Sequence, residues 1–360
     1  MGTFDRFSQT GKIRVVQAGC GSMAQGWIER TLKHPALELA GIVDIQKEAA
    51  LKTAAKHGLP SGIVFASLKE ALEQAHPDAV FDITVPSAHY EVTMRALDAG
   101  CHVLGEKPLS DRLDHAREMC AAADKARRLY MVTQNRRYIG NMVAISHAVS
   151  SGLIGSLSSL DADFFIGAHF GGFRDVMDHV LILDMAIHTF DQARMLSGCD
   201  PIAVYCHEYN PPGSWYRRDA AAVCIFEMTN GVVFTYRGSW AAEGFGTSWE
   251  SAWRAVGSKG SIIWDGRNEA KCQVADGLDG FTRPVKDIAI REAPLKHGGH
   301  DGVLEEFIGA LRTGEAPATA CSENIKSLAM CLAAVESATE KRRVSVNWQA
   351  SSLHTRFIQP

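Results

Sequence analysis

The stretch from Ile13 to Ala24 constrains this chain more than any other part of it. A short apolar run over Ile13–Ala18 passes directly into Gly19-Cys20-Gly21-Ser22-Met23-Ala24, and a helical pattern through Trp27 and Leu32 follows. A buried strand that turns into a helix through Gly-x-Gly-x-x-Ala is the opening of a βαβ unit whose turn can cradle a pyrophosphate. Gly19 permits the tight turn, Gly21 lets the backbone approach the phosphates, and Ala24 keeps helix and sheet close, with Ser22 and Met23 completing the loop. The free N–H groups of the helix start then face the phosphate charge. Asp44 closes the next apolar run, twenty residues after Ala24, where a carboxylate accepts hydrogen bonds from the adenosine ribose. A 2'-phosphate would be repelled there, and Ile45 and Gln46 supply no cation to receive one, so the expected cofactor is NAD rather than NADP.

The same alternation continues to about residue 135. Helical stretches at 47–57, 68–74 and 90–99 separate short apolar runs at 39–43, 63–65, 79–84 and 101–104. Strands alternating with helices of this length imply parallel crossovers and a sheet covered on both faces. Beyond about residue 140 the pattern changes. Thr229-Asn230-Gly231 and Gly257-Ser258-Lys259-Gly260 each sit between two strand-like runs and read as hairpin turns. A segment near 153–165 is expected to open this sheet, a helix over 180–196 to cross it, and helices over 302–312 and 322–341 to close the domain. The fold class is therefore α/β: a doubly wound parallel-sheet domain over 1–135, an α+β domain with a large, mostly antiparallel open sheet over 136–346, and a tail over 347–360.

Composition removes several function classes. Lys and Arg total 37 against 41 Asp and Glu, a net charge of -4 that offers nothing to nucleic acid. No run of 18 apolar residues could span a bilayer, and the first residues lack the apolar core of a secretory signal, so a cytoplasmic protein with no membrane partner is expected. The nine cysteines show no Cys-x-x-Cys spacing and read as small buried apolar residues. His169, Asp178 and His179 lie near Asp184 and His188 in sequence, but nothing fixes their geometry and no His-Glu-x-x-His occurs, so no metal is expected.

Four landmarks in order, Gly19 to Ala24, Thr84-Val85-Pro86 with His89, Gly105-Glu106-Lys107-Pro108, and Asp184-x-x-x-His188, resemble those of the Gfo/Idh/MocA oxidoreductases. The resemblance runs from about residue 12 to residue 346. It implies a Rossmann domain joined to an open-sheet domain, with sugars, inositols or related polyols as substrates. It also implies that Thr84, Pro86, His89, Glu106 and Lys107 border the cofactor, that Arg136 lies by the substrate pocket, and that the open sheet mediates a homodimer or homotetramer.

The residues also read without the family. The helix expected over 180–196 is mostly apolar, so Asp184, His188 and Asp191 form a polar stripe on one face. Burying such groups unpartnered costs several kcal/mol, which favours a hydrated cleft or specific partners. Asp184 and His188 could simply bond each other or cap a neighbouring element. Behind a cofactor loop, His188 is instead the natural general base, since an imidazole titrating near ~6.5 suits proton transfer at neutral pH, and Asp184 could orient it. Lys107 follows a strand at its carboxyl end, where ligands gather in open α/β sheets. Alone it reads as a solvated loop lysine; the resemblance puts it beside the nicotinamide and the reacting hydroxyl, where a cation favours the developing alkoxide, with Pro108 restricting its backbone.

Candidate substrate contacts lie in two segments, with His169 and Arg174 in the first and Trp215 and Arg217 in the second. Their arginines suit a carboxylate, phosphate or sulfonate, or are solvated surface charges. The tryptophans clustered from Trp215 to Trp264 read mainly as core or interface. The expected function is an NAD-dependent dehydrogenase moving hydride between a secondary hydroxyl of a sugar-like substrate and the nicotinamide. One alternative is an NAD-dependent glycosidase acting through a transient 3-keto sugar. Another is a non-catalytic NAD-binding sensor, which the joint presence of Lys107, Asp184 and His188 argues against.

Overall fold

The computed structural model describes residues 4–7 and 11–349, so most of the expected tail, 350–360, lies outside the described residues. Strands β1 (Ile13–Ala18), β2 (Leu37–Val43), β3 (Val64–Phe65), β4 (Ala79–Asp82), β5 (His102–Gly105) and β6 (Tyr130–Val132) form one sheet in the order β3-β2-β1-β4-β5-β6. All its pairings are parallel. Val15, Val16, Val80, Phe81, Val103 and Leu104 are fully buried, as near-continuous apolar strands require when both faces of a parallel sheet are covered. The crossovers contain α1 (Ser22–Lys33), α2 (Lys47–Lys56), α3 (Leu68–Ala75), α4 (His89–Asp98) and α5 (Leu113–Ala126). Strand order reverses between β1 and β4, and the crevice at their carboxyl ends is where such sheets hold ligands.

After α6 (Gly140–Ser150) the chain enters a nine-stranded sheet. It comprises β7 (Leu157–Phe165), β8 (Pro201–Tyr209), β9 (Ala221–Met228), β10 (Val233–Ser239), β11 (Ala252–Gly257), β12 (Gly260–Trp264), β13 (Lys271–Ala275), β14 (Val285–Ala289) and β15 (Val344–Ser345), in the order β14-β13-β12-β11-β7-β10-β9-β8-β15. Both expected hairpins are present: β9 pairs antiparallel with β10 across Asn230 (φ 61°) and Gly231 (φ 74°), and Trp253 faces Trp264 across β11 and β12. Only β7 and β10 pair in parallel among the described strands of this sheet. Its inner face packs on α7 (Ile187–Ser197) and α9 (Cys321–Glu340), with the Phe190 ring edge-on to Phe226 at 4.8 Å and Tyr236 at 5.3 Å. Trp240, Trp253 and Trp264 are core residues.

Two expectations change. The helix expected over 302–312 does not close the second domain. It is α8 (Gly299–Thr313), and its stripe of Val303, Leu304, Phe307, Ile308 and Leu311 packs with Ile13, Val15, Phe81 and Leu104 of the first sheet. Nothing in an amphipathic pattern says which sheet it will meet. α9 then spans both units: Cys321, Ile325 and Leu328 belong to a core of the first, Ala329, Met330 and Ala334 to that of the second. The helix expected over 180–196 is likewise not one α-helix. Leu181–Ala186 forms a π-helical turn before α7 begins. Among the described residues, no helix is long and apolar enough to cross a membrane.

Candidate active site

At the phosphate end the turn is as tight as the glycine spacing implies. Gly19 has φ +95°, and a Cβ there would lie 2.3 Å from the Ile83 carbonyl oxygen, so only glycine fits. Gly21 precedes α1 with no described residue within 4 Å of where a Cβ would stand, and among the described residues no side chain caps the helix. Its first N–H groups are free to meet an anion. Ala24 is fully buried, whereas Ser22 and Met23 are exposed beside the opening. Asp44 is fixed at the edge of the crevice, accepting from the Cys20 N–H at 2.9 Å and the Gln46 N–H at 2.8 Å. Open helix start and anchored carboxylate together fit a dinucleotide.

At the other end of the crevice, the Thr84 hydroxyl donates to Asp82 Oδ1 at 2.5 Å. His89 places Nδ1 3.1 Å from the same oxygen and is 1 % exposed, so it lies beneath Thr84 as support. Pro86 opens the short turn that leads from Thr84 into α4. Glu106 is also buried. Its Oε1 accepts from the Trp27 indole N–H at 2.8 Å, and its Oε2 from the Thr133 hydroxyl at 2.9 Å and the Lys107 N–H at 3.2 Å. It thereby ties α1 to the ends of β5 and β6 and fixes the backbone from which Lys107 projects. The Lys107-Pro108 bond is cis.

Lys107 Nζ donates to the Asp184 carbonyl at 2.8 Å and to Asp184 Oδ1 at 3.0 Å, while Arg174 Nε donates to Oδ2 at 2.6 Å. The Asp184 carboxylate therefore bridges two cations and does not orient His188, contrary to the reading from an ideal helix. The wider π turn takes positions 184 and 188 out of the alignment that α-helical spacing would give them. Asp191 also leaves the stripe: it pairs with Arg137 at 2.6 and 2.9 Å and accepts from the Ser327 hydroxyl at 2.7 Å, joining the helix to the other unit.

His188 is 8 % exposed, and its Nδ1 is buried with no partner among the described residues. Burial, then the neighbouring Arg136, Lys107 and His300, hold its pKa well below the usual imidazole value. It is neutral at neutral pH, the state a base needs. Burial works against the Asp184 carboxylate, but Lys107 and Arg174 outweigh it and hold its pKa below the usual range. Arg136 is held by the Trp249 carbonyl and lies 3.6 Å from Glu250, whose own pKa burial raises.

The other substrate candidates hold a loop in place. The exposed His169 ring stacks on Trp215 with centroids 3.6 Å apart and pairs with Glu243 at 2.8 Å. Trp215 donates to the Ala168 carbonyl at 3.0 Å, and the Arg217 N–H to the Asp175 carbonyl at 2.7 Å, leaving the Arg217 guanidinium exposed. Of these four, Arg174 is the one bonded to Asp184. Sequence reasoning missed His300, which α8 carries back to the crevice, where its ring meets Trp27 edge-on at 5.5 Å. The available signal was Gly-Gly-His at a helix start. Among the described residues, no cluster of His, Cys, Asp or Glu is placed to hold a metal.

Residues 13–134 match the model described as "Oxidoreductase family, NAD-binding Rossmann fold", and residues 142–263 match the "GFO/IDH/MocA C-terminal domain". The chain belongs to the Gfo/Idh/MocA family. It is similar to an inositol 2-dehydrogenase of Rhizobium meliloti, with 25 % identity over 93 % of this chain and 99 % of the relative. A 1,5-anhydro-D-fructose reductase of Ensifer adhaerens is 24 % identical, over 89 % and 94 % of the two chains. An oxidoreductase from Agrobacterium radiobacter, solved with NAD+, L-tartaric acid and magnesium, superposes with a TM-score of 0.81 at 19 % identity, covering 93 % of this chain and 98 % of that one. This Gfo/Idh/MocA chain is thus an NAD-binding oxidoreductase, with its dinucleotide crevice in the six-stranded unit.

Proposed function

We propose that this Gfo/Idh/MocA protein is a dehydrogenase that oxidises a secondary hydroxyl of a sugar, inositol or sugar derivative, with Lys107 and His188 as its catalytic residues. The observation that carries the proposal is that Lys107, from the carboxyl end of β5, bonds Asp184 just before the helix bearing His188 and lies close enough for its charge to help hold that imidazole neutral. NAD, when bound, supplies the hydride acceptor. Lys107 holds the hydroxyl oxygen and favours its deprotonated form, and His188 takes the proton. The low pKa of His188 weakens it as an acceptor, and Lys107 offsets this by making the hydroxyl more acidic. Asp184 aims the lysine. The names of the inositol and anhydrofructose relatives support the substrate class.

The test is NAD reduction across polyols, aldoses, uronic acids and glycosides, in parallel with NADP. At least one substrate should give NADH in step with oxidised product. With the Asp44 carboxylate at the ribose edge, NAD should be favoured in kcat/KM by roughly tenfold or more, equivalent to about 1.4 kcal/mol of repulsion against a 2'-phosphate. Net glycoside hydrolysis without NADH release would instead identify the redox-assisted glycosidase, and tight NAD binding with no turnover on any substrate would identify the sensor. Equal use of NADP would remove the assigned role of Asp44.

The proposal includes assembly of a cytoplasmic homodimer or homotetramer through the outer face of the nine-stranded sheet, where Val223, Ile225, Val233 and Ile263 are exposed. A patch of this kind is buried in an assembly more often than left in water. Sedimentation should give a multiple of 39.1 kDa, and Ile225→Asp should shift it toward the monomer. A monomeric wild-type protein would overturn this part.

A further inference from the structure

Lys107 and Arg174 share the single Asp184 carboxylate, and Arg217 nearby has no carboxylate partner among the described residues. A guanidinium that shares its carboxylate partner with a second cation can take a further anion.

Arg174 is built to receive one. Its Nε is bonded to Asp184 at 2.6 Å, while neither terminal nitrogen has a hydrogen-bond partner among the described residues. Its guanidinium carbon lies 4.9 Å from the centre of the Phe170 ring and 4.7 Å from that of Phe173. The loop carrying it is pinned on both sides, by Trp215 and Arg217 on the Ala168 and Asp175 carbonyls at 3.0 and 2.7 Å and by the Arg218–Asp178 pair at 2.9 Å. The fork is therefore held on one edge and flanked by two aromatic rings, with its terminal edge open. That edge matches a planar carboxylate bidentately. Because Arg174 and Lys107 bond opposite oxygens of one carboxylate, their charged heads are within about 8 Å of each other, which is the reach of one sugar ring.

We propose that Arg174 binds a carboxylate on the substrate, so that the physiological substrate is a polyhydroxy acid, such as a uronic or aldonic acid, and not a neutral polyol. This rests on the reading of Lys107 as the residue that holds the reacting hydroxyl. Isothermal titration of the enzyme–NADH complex tests it without requiring turnover. The ligands are D-glucuronate, D-galacturonate and D-gluconate, each against its neutral counterpart D-glucose, D-galactose or D-glucitol, with D-glucose 6-phosphate as a non-planar anion. At least one acid should bind about 10- to 100-fold more tightly than its neutral counterpart. Arg174→Met should abolish that preference. Should Arg174→Met not fold, Arg174→Lys serves instead, and should reduce the preference without removing it, because an ammonium keeps the charge and loses the fork. No preference for any acid, tighter binding of the phosphate, or equal losses for acid and neutral ligands in the variants would overturn the assignment. Selective acid binding without oxidation would leave it standing and reject the dehydrogenase reading instead.

Discussion

His188→Ala should bind NADH as the wild type does and lose about 10²- to 10⁴-fold in kcat, the usual contribution of a positioned general base. Lys107→Ala should lose a comparable factor, because a cation aimed at a developing alkoxide is among the larger contributions available to a partly enclosed site. Neither change should disturb the cofactor crevice. His188 stands in the other unit, and the backbone at Lys107 is fixed by Glu106, whose bonds to Trp27 and Thr133 are untouched. In Lys107→Ala the Asp184 carboxylate keeps Arg174, so no buried charge is left alone. Single-turnover absorbance at the NADH band, with NADH affinity measured by fluorescence, separates the two effects. The pH profile gives a further signature. Burial and the neighbouring cations depress the imidazole pKa, so the acid limb of kcat/KM for oxidation should fall below the ordinary ~6.5 of histidine. Near-normal turnover in either variant would remove that residue from the mechanism, and an acid limb at or above the ordinary value would show that the imidazole is not held as described.

Arg137→Met should destabilise the protein by about 3–5 kcal/mol, the characteristic cost of removing one partner of a buried ion pair. Asp191 is 1 % exposed and its carboxylate meets both arms of the Arg137 guanidinium. Without the arginine it would keep only the Ser327 hydroxyl. For a chain of 360 residues the loss corresponds to a Tm lowered by roughly 4–7 °C. Replacing both partners with apolar residues of similar volume, Arg137→Met with Asp191→Leu, should recover most of it, since the penalty lies in the orphaned charge. Calorimetry of the single and double variants measures this directly. A loss below about 1 kcal/mol in Arg137→Met would mean that the pair is effectively solvated. The pair joins the turn after β6 to the helix bearing His188, so a partly folded Arg137→Met should also show weakened turnover before its cofactor affinity changes.

Much of the fold was legible because its signals are local. A strand of buried aliphatics, a glycine that must adopt positive φ, and an Asn-Gly turn each depend on a few neighbouring residues, and β1, Gly19 and the β9–β10 hairpin are found as read. The two misread helices depend on what they meet. α8 is amphipathic in the ordinary way, and its apolar stripe would suit either sheet; only packing chose the first. The π turn at Leu181–Ala186 has no sequence period of its own, so helical spacing aligned Asp184, His188 and Asp191 on one face although the structure gives each a different environment.

The sequence by itself determined that this chain carries a dinucleotide crevice and an open-sheet unit, and it named Lys107, Asp184 and His188, because motif spacing encodes local backbone geometry directly. Tertiary structure alone decided their relations. It gave Asp184 to Lys107 and Arg174, left His188 neutral among cations, and brought His300 back across the chain to Trp27. Those outcomes follow from burial and from the approach of charges far apart in sequence, and neither quantity exists until the two sheets and the helices between them have packed.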